Sequence, residues 1–557
     1  MNLENRRNFI KTLMAAAGGM GAARAAQIIV PPGRGIQRPP LGGGSPATVA
    51  RQASALAMRQ NATLAESKLP LPLHVTNGDE TLLPGYIGQF SKGLPHSQLG
   101  EVDPAAYRAM MAAATSGSNS DWDQLPRGSG RKFVNPMGGD EFSLIGADPF
   151  SLYLDPPPAF SSAAQAAEMV ELYWQALTRD VNFSDYDSDP LIHRATVELN
   201  QMSDYRGPRD SSNRVTAANI FRGVTAGDLA GPYVSQFLLK PVPMNSGLWP
   251  QLTRVGMPGV DYLQTYSEWT LFQSGLPPFQ TEVFDPVYRY IRNGRDLAQW
   301  VHYDFIHQAY QNAALILLDN RPETSRNRTG SVFSDTNPYK STVAQTGYVT
   351  FDVGQICALM GVACMAALKA AWYQKWRVHR RLRPETMAGR VHNNLTGAAA
   401  YPIHPELLNS DAVDLTHHNI GTYLLPQAFV EGCPLHPSYP SGHATVAGAE
   451  ATLLKAFFNE QAPVPNPVVV SADGLSLLPY TGAPLTIGNE ANKLAFNAGM
   501  GRDWSGIHYR SDAQYGILLG EQVAIGLLRD TVNCMTENFA GFKFTKFNGD
   551  PISIVPA

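Results

Sequence analysis

Residues 353–385 read VGQICALMGVACMAALKAAWYQKWRVHRRLRPE. The first two thirds are small and apolar at a spacing near 3.6, the signature of a helix buried on most sides. The longest unbroken apolar run, Ile356 to Leu368, falls short of the ~18 residues that span a bilayer, so the reading is a core helix. The end turns abruptly basic. Lys375, His379 and Arg383 stand at i, i+4 and i+8, which predicts one helical face. Pro384 biases Arg383 away from helix, so the helix should stop there. Similar periods recur at Ser161–Leu177, Asp296–Leu318, Ala444–Phe458 and Asp512–Leu528. Alternating runs are few and no fixed repeat occurs. The fold class expected is mostly α, with helical-bundle cores joined by long irregular loops.

The rest of the 557-residue chain agrees with a well-buried globular protein: 44% of residues are hydrophobic and only 16% charged. A formal net charge of −4 leaves no basic surplus for nucleic acid and no polybasic membrane patch. Four cysteines exclude a disulfide-built scaffold. Cys357 and Cys364 are too far apart on one helix to bridge. Cys433 and Cys534 are either a bridge of an exported protein or buried thiols. The N-terminus carries Arg6-Arg7 before a weakly apolar stretch and an A-x-A site ending near Ala25 or Ala26, which resembles a twin-arginine export signal over residues 1–26. An exported bacterial protein, periplasmic or extracellular, is therefore expected. Residues 27–80 are rich in Pro, Gly and Ala and read as an extended arm or linker. An N-terminal helical part (81–345), a second helical part (346–545) and a short tail (546–557) follow.

Three segments concentrate chemistry. The first is the basic helix end, Lys375 to Arg383. The second is His436-Pro-Ser-Tyr-Pro440-Ser441-Gly442-His443: Ser441 is a natural N-cap, Gly442 admits a ligand close to the backbone, and free N–H groups at a helix start attract anions. The third is Arg502 to Asp512, with His508 between, where Ser511 could cap the next helix and Gln514 complete a capping box. Together they supply three fixed cations, a hydroxyl, a backbone amide and two or three imidazoles. That inventory suits an oxyanion with three equatorial oxygens better than a carboxylate.

The spacings Lys375-x7-Arg383-Pro384, Pro440-Ser441-Gly442-His443 and Arg502-x5-His508-x3-Asp512 resemble the vanadium-dependent haloperoxidases, which share their site with type-2 phosphatidic acid phosphatases. The x7 spacing and His436 are similar to the algal and cyanobacterial bromoperoxidase branch. The resemblance implies two four-helix-bundle-type cores, with residues 346–545 holding vanadate. It implies His508 as the metal ligand. It assigns the vanadate oxygens to Lys375, Arg383, Arg502, the Ser441 hydroxyl and the Gly442 amide. His443 would be the acid–base group, His436 would tune protons or halide approach, and Lys375 would also withdraw electron density. Asp512 and Asp304 are candidate supporting carboxylates, Asp304 by placement alone.

The implied reaction is oxidation of bromide or iodide by hydrogen peroxide to hypohalous acid, which halogenates small organic acceptors. Trp372, one turn before Lys375, and His436 would set halide choice. A homo-oligomer is implied, and a structural Ca²⁺ near Asp335-Thr-Asn337 is a weaker expectation. Two other functions use the same residues: a phosphatase with His508 as nucleophile and His443 as general acid, and a non-catalytic exported anion-binding or shell-forming protein.

Overall fold

The structure, a computed structural model, describes residues 46–128, 130–319 and 332–556. The proposed export signal lies outside them. The helices that build and support the site are, in chain order, α1 (Pro46–Ser67), α2 (Ala163–Leu177), α3 (Gly294–Trp300), α4 (Gln308–Leu318), α5 (Val353–Tyr373), α6 (Pro384–Leu395), α7 (Gly442–Phe457), α8 (Ile487–Trp504) and α9 (Arg510–Cys534). Among the described residues, strands occur only as four two-stranded antiparallel hairpins.

The centre is α7. Every one of its residues is buried except His443. Helices α5, α8 and α9 pack around it. The crossing with α9 is close because both helices offer glycine. A Cβ on Gly448 would stand 2.0 Å from the Ile517 carbonyl oxygen, and one on Gly520 would stand 2.0 Å from that of Thr445. Small residues thus let two backbones meet where larger ones would hold them apart. Helix α2 is buried nearly throughout and packs against α8 and the segments Pro190–Gln201 and Asp411–Ile420. One apolar cluster runs from Ile87 through α2, α5, α7, α8 and α9 to Ile554.

Several local expectations are corrected. The arm read as extended contains α1, whose sequence from Ala47 to Glu66 is rich in helix-forming Ala, with Leu, Arg and Gln, once past the Pro- and Gly-rich run. The continuous helix expected over 296–318 is two helices, α3 and α4, separated by residues 301–307. Within the C-terminal tail, Pro551–Ile554 pairs with Phe542–Thr545. Helix α9 is capped through Asp512, which accepts the Tyr509 N–H at 3.1 Å, so Ser511 lies inside the helix and not at its cap.

The stretch 353–385 departs most from its reading. Helix α5 gives way at Gln374 to a π-helical turn ending at His379, and Arg380 is left-handed with φ 47°. A π turn holds more than 3.6 residues, so the i, i+4, i+8 face does not exist. Arg383 is extended, at φ −83° and ψ 154°, and caps α6. The segment 353–379 is long and apolar enough to cross a membrane by length and composition, and half of its most apolar window is buried inside the protein.

Candidate active site

Three elements converge below the start of α7. The π turn delivers Lys375, the extended Arg383 follows it, the last turn of α8 delivers Arg502, and the loop from α8 to α9 delivers His508. Lys375 is fully buried and donates from Nζ to the carbonyls of Pro437 (2.8 Å) and Ser438 (2.7 Å). Arg383, equally buried, donates to the carbonyls of His436 (3.0 Å) and Ile507 (2.9 Å) and to the rings of His508 and His436. Arg502 donates Nη1 to the Val301 carbonyl at 2.8 Å, faces the Phe429 ring at 5.8 Å, and leaves Nε without a partner.

None of these cations has a carboxylate within ion-pair distance among the described residues. Burial lowers all three, Arg502 to about 10; Arg383 and Arg502 lower Lys375 further, and Arg383 lowers Arg502 further. Two like charges 6 Å apart repel by roughly 3 kcal/mol at an effective dielectric near 20. Elsewhere most buried cations are paired, as in Lys92–Glu385, Arg381–Glu168 and Arg510–Glu171. Arg390 and Lys455 are also buried without an ion pair, but each stands singly, whereas here three such cations share one spot. That is the arrangement of a pocket awaiting an anion.

His508 sets the opposite face. Its Nδ1 donates to Asp512 Oδ2 at 2.8 Å, and Nε2 accepts from Arg383 Nη1 at 3.0 Å. This fixes a neutral tautomer with the Nε2 lone pair turned toward the cations. Burial, then Arg383, Lys375 and Arg502, hold the ring's pKa far below its usual value. Asp512 is itself anchored by Arg381 Nη1 at 2.8 Å and by the Ser438 hydroxyl. Arg381 in turn pairs with Glu168 of α2 at 2.7 Å. Arg381 carries no motif of its own. It reaches Asp512 from the position just after the left-handed Arg380.

Ser441 N-caps α7, its backbone N–H held by the Asp512 carbonyl at 2.9 Å. The next residue must be small: a Cβ on Gly442 would stand 3.0 Å from the Trp372 ring. His443 follows, with Nε2 2.9 Å from Asp304 Oδ1. Its Nδ1 has no partner among the described residues. Burial lowers the His443 pKa and Asp304 works against that. Asp304 belongs to the 301–307 interruption, so the break between α3 and α4 is what brings it here. His436 packs against Trp372, ring centroids 4.8 Å apart and tilted by 33°, and is held neutral by burial beside Arg383 and Lys375. The Trp372 indole N–H is engaged by the Val134 carbonyl at 2.9 Å, so the ring offers its face and not a donor.

The structure thus brings together Lys375, Arg383, His436, Ser441, Gly442, His443, Arg502 and His508, with Trp372 at the rim. His379, expected on the same face, lies apart, edge-on to Tyr439 at 4.9 Å. All four cysteines are free, and Cys433 is buried while Cys534 is exposed. Asp335 is ion-paired with Lys340 at 2.6 Å, and no group of three or more His, Cys, Asp and Glu suited to a metal ion occurs among the described residues.

The residues present fit a tetrahedral oxyanion bound through a metal. Unpaired buried cations, an orphaned guanidinium N–H, a helix N-terminus and an imidazole lone pair form its donor set.

Comparison with known proteins gives the same direction. Residues 355–536 match the model of the VCPO second helical-bundle domain. A vanadium-dependent bromoperoxidase of Ascophyllum nodosum is 34% identical over 86% of this chain and 88% of its own length. One from Corallina officinalis is 33% identical over 86% of this chain and 92% of its own length. The homohexameric second vanadate-dependent bromoperoxidase of Ascophyllum nodosum superposes with a TM-score of 0.87, at 28% identity, covering 97% of this chain and 96% of that one.

Proposed function

The chain belongs to the vanadium-dependent haloperoxidase family, and from that premise we propose that its pocket holds vanadate and that it oxidises bromide and iodide with hydrogen peroxide to hypohalous acid. The observation that carries the proposal is the set of three buried cations without a carboxylate, facing the Nε2 lone pair of a neutral histidine.

Each residue has a physical task. Lys375, Arg383 and Arg502 neutralise the anion, and Lys375 draws electron density from its oxygens. The Ser441 hydroxyl and the Gly442 amide donate to the remaining oxygens. His508 Nε2 binds the metal, which needs the neutral ring that Asp512 and the surrounding cations enforce. When bound, vanadate supplies a Lewis-acidic centre that polarises peroxide without changing oxidation state. His443, partly open to solvent and aligned by Asp304, takes the proton from incoming peroxide. Halide approaches past Trp372 and His436.

Purified protein with vanadate, bromide, peroxide and a brominatable dye tests the reading directly. Absence of halogenation, together with hydrolysis of a phosphate ester in vanadate-free protein, would overturn it in favour of a phosphatase. Where halogenation is seen, the hypohalous acid formed reaches small organic acceptors.

Two further parts of the reading rest on separate support. Helix α1 has no buried residue over its 22 positions. A helix of that length with no buried face gains little from its own chain, which supports packing against a second copy. The homohexameric relative points the same way. Export through the twin-arginine route is supported by the sequence from Arg6 to Ala26. N-terminal sequencing of secreted protein, with and without Arg6→Lys/Arg7→Lys, tests it.

A further inference from the structure

The segment Val301–Asp304 serves the pocket twice. The Val301 carbonyl accepts from Arg502, and the Asp304 carboxylate aligns His443. Between them stands His302, which no step above uses. Its Nε2 lies 2.7 Å from Glu431 Oε1 and its Nδ1 3.3 Å from Glu282 Oε1. The ring lies flat on Phe429, centroids 3.7 Å apart at 9°, and the same Phe429 faces the Arg502 guanidinium. Tyr303 packs against His302 at 4.2 Å and donates its hydroxyl to Glu282 at 2.5 Å.

An imidazole between two carboxylates can satisfy both only as the cation, because a neutral ring has one N–H. The carboxylates come from different parts of the chain. Glu282 precedes the strand Phe284–Arg289, and Glu431 lies in the loop before His436. His302, hydrogen-bonded to Glu431 and within ion-pair distance of Glu282, therefore ties the 301–304 segment to both.

We propose, resting on the haloperoxidase reading, that His302 is a positioning residue: clasped between Glu282 and Glu431, it fixes the segment from which Val301 holds Arg502 and Asp304 holds His443. Above the pH at which it loses its proton, one contact lapses and the two carboxylates are left facing each other. The segment then loosens and the pocket loses its alignment.

The charged and titratable groups around His302 are Glu282, Glu431, Tyr303 and Asp304, with Arg502 behind Phe429. Arg131 donates to the Glu431 carbonyl at 3.0 Å, and Arg254 faces Phe284. Burial works to lower the His302 pKa, but contacts with Glu282 and Glu431 outweigh it and the net shift is upward. Glu431 shows the reciprocal effect: burial pushes it up and His302 more than reverses that.

The test uses full-length protein as wild type, His302→Gln and Glu282→Gln. Hydrogen exchange over residues 301–304, corrected for intrinsic rates, is followed from pH 5 to 9, and kcat/KM for bromide is measured across the same range. Wild type should lose protection several-fold in one step as pH rises, with a matching fall in kcat/KM. His302→Gln should show low protection without the step and a kcat/KM lowered about tenfold at pH 6, as expected for a small misplacement of catalytic groups. Glu282→Gln should move the step to lower pH, because one of the two charges favouring the imidazolium is gone. A purely structural His302 would leave the step where it was. Protection in wild type that is independent of pH, or a step unmoved in Glu282→Gln, overturns the proposal. A step in exchange without halogenation by any of the three proteins would leave the clamp standing and sink the haloperoxidase reading instead.

Discussion

His508 Nδ1 donates to Asp512 Oδ2 at 2.8 Å, and the other oxygen of the same carboxylate accepts from Arg381 at 2.8 Å. The metal-facing nitrogen is therefore set by residues that never touch the pocket. Asp512→Asn should cost about ten- to a hundredfold in vanadate affinity, the usual effect of removing a partner that orients a ligand. Activity should return at high vanadate. Titration of halogenating activity against vanadate measures this; unchanged affinity would separate Asp512 from the ligand's orientation.

His443→Ala should retain vanadate and lose roughly 10²–10⁴ in halide oxidation, the range of a lost general acid or base. His508→Ala should fail to retain vanadium. Vanadium content after gel filtration, set against turnover, distinguishes the two. Full activity in the His443 variant would exclude its proton-transfer role.

Asp304→Asn bears on pH dependence. In the wild type burial lowers the His443 pKa and the Asp304 carboxylate counteracts this. Removing the charge leaves burial unopposed, so the pKa must fall further. The limb of the pH–rate profile that reports His443 should move to lower pH. A shift to higher pH, or none, would contradict the pairing.

Phosphate should compete with vanadate during reconstitution, since both are tetrahedral oxyanions for the same donors. Millimolar phosphate that leaves activation unaffected would refute the assignment of Lys375, Arg383 and Arg502 to one anion.

Halide choice rests on Trp372 and His436. With its N–H occupied by Val134, the indole gives halide a polarisable face and no hydrogen bond. Bromide and iodide should be good substrates and chloride weak. Chloride turnover within tenfold of bromide at pH 5–7 would show that Trp372, and not His436, governs selectivity.

The parts of the site legible in the sequence are those where chemistry is dense along the chain. Pro440 to His443 needs no partner to be recognised, and Arg502 to Asp512 places a ligand and its support four residues apart. The helices were legible where apolar spacing was strict. What escaped was whatever depends on a break in regularity. The π turn at 374–379 displaced His379 from the site, and Arg381, just after the left-handed Arg380, has a role that its position beside another arginine conceals. His302 sits where a helix was expected to continue, and nothing in its spacing relates it to Glu431, more than a hundred positions away; Asp304 is legible by placement alone, without its partner His443.

Helix α7 is buried at every residue but one, and with its N-cap Ser441 it carries Gly442 and His443. Its one residue open to solvent is also the one assigned to exchange protons. Evolutionary change is constrained accordingly: a substitution along its length that alters packing displaces the reactive end as well. Diversification of halide preference or working range must be sought in the surrounding shell, in the 301–307 segment, the Trp372 rim and the loops before His436. Those regions can drift while the central rod stays invariant, and directed libraries would best begin there.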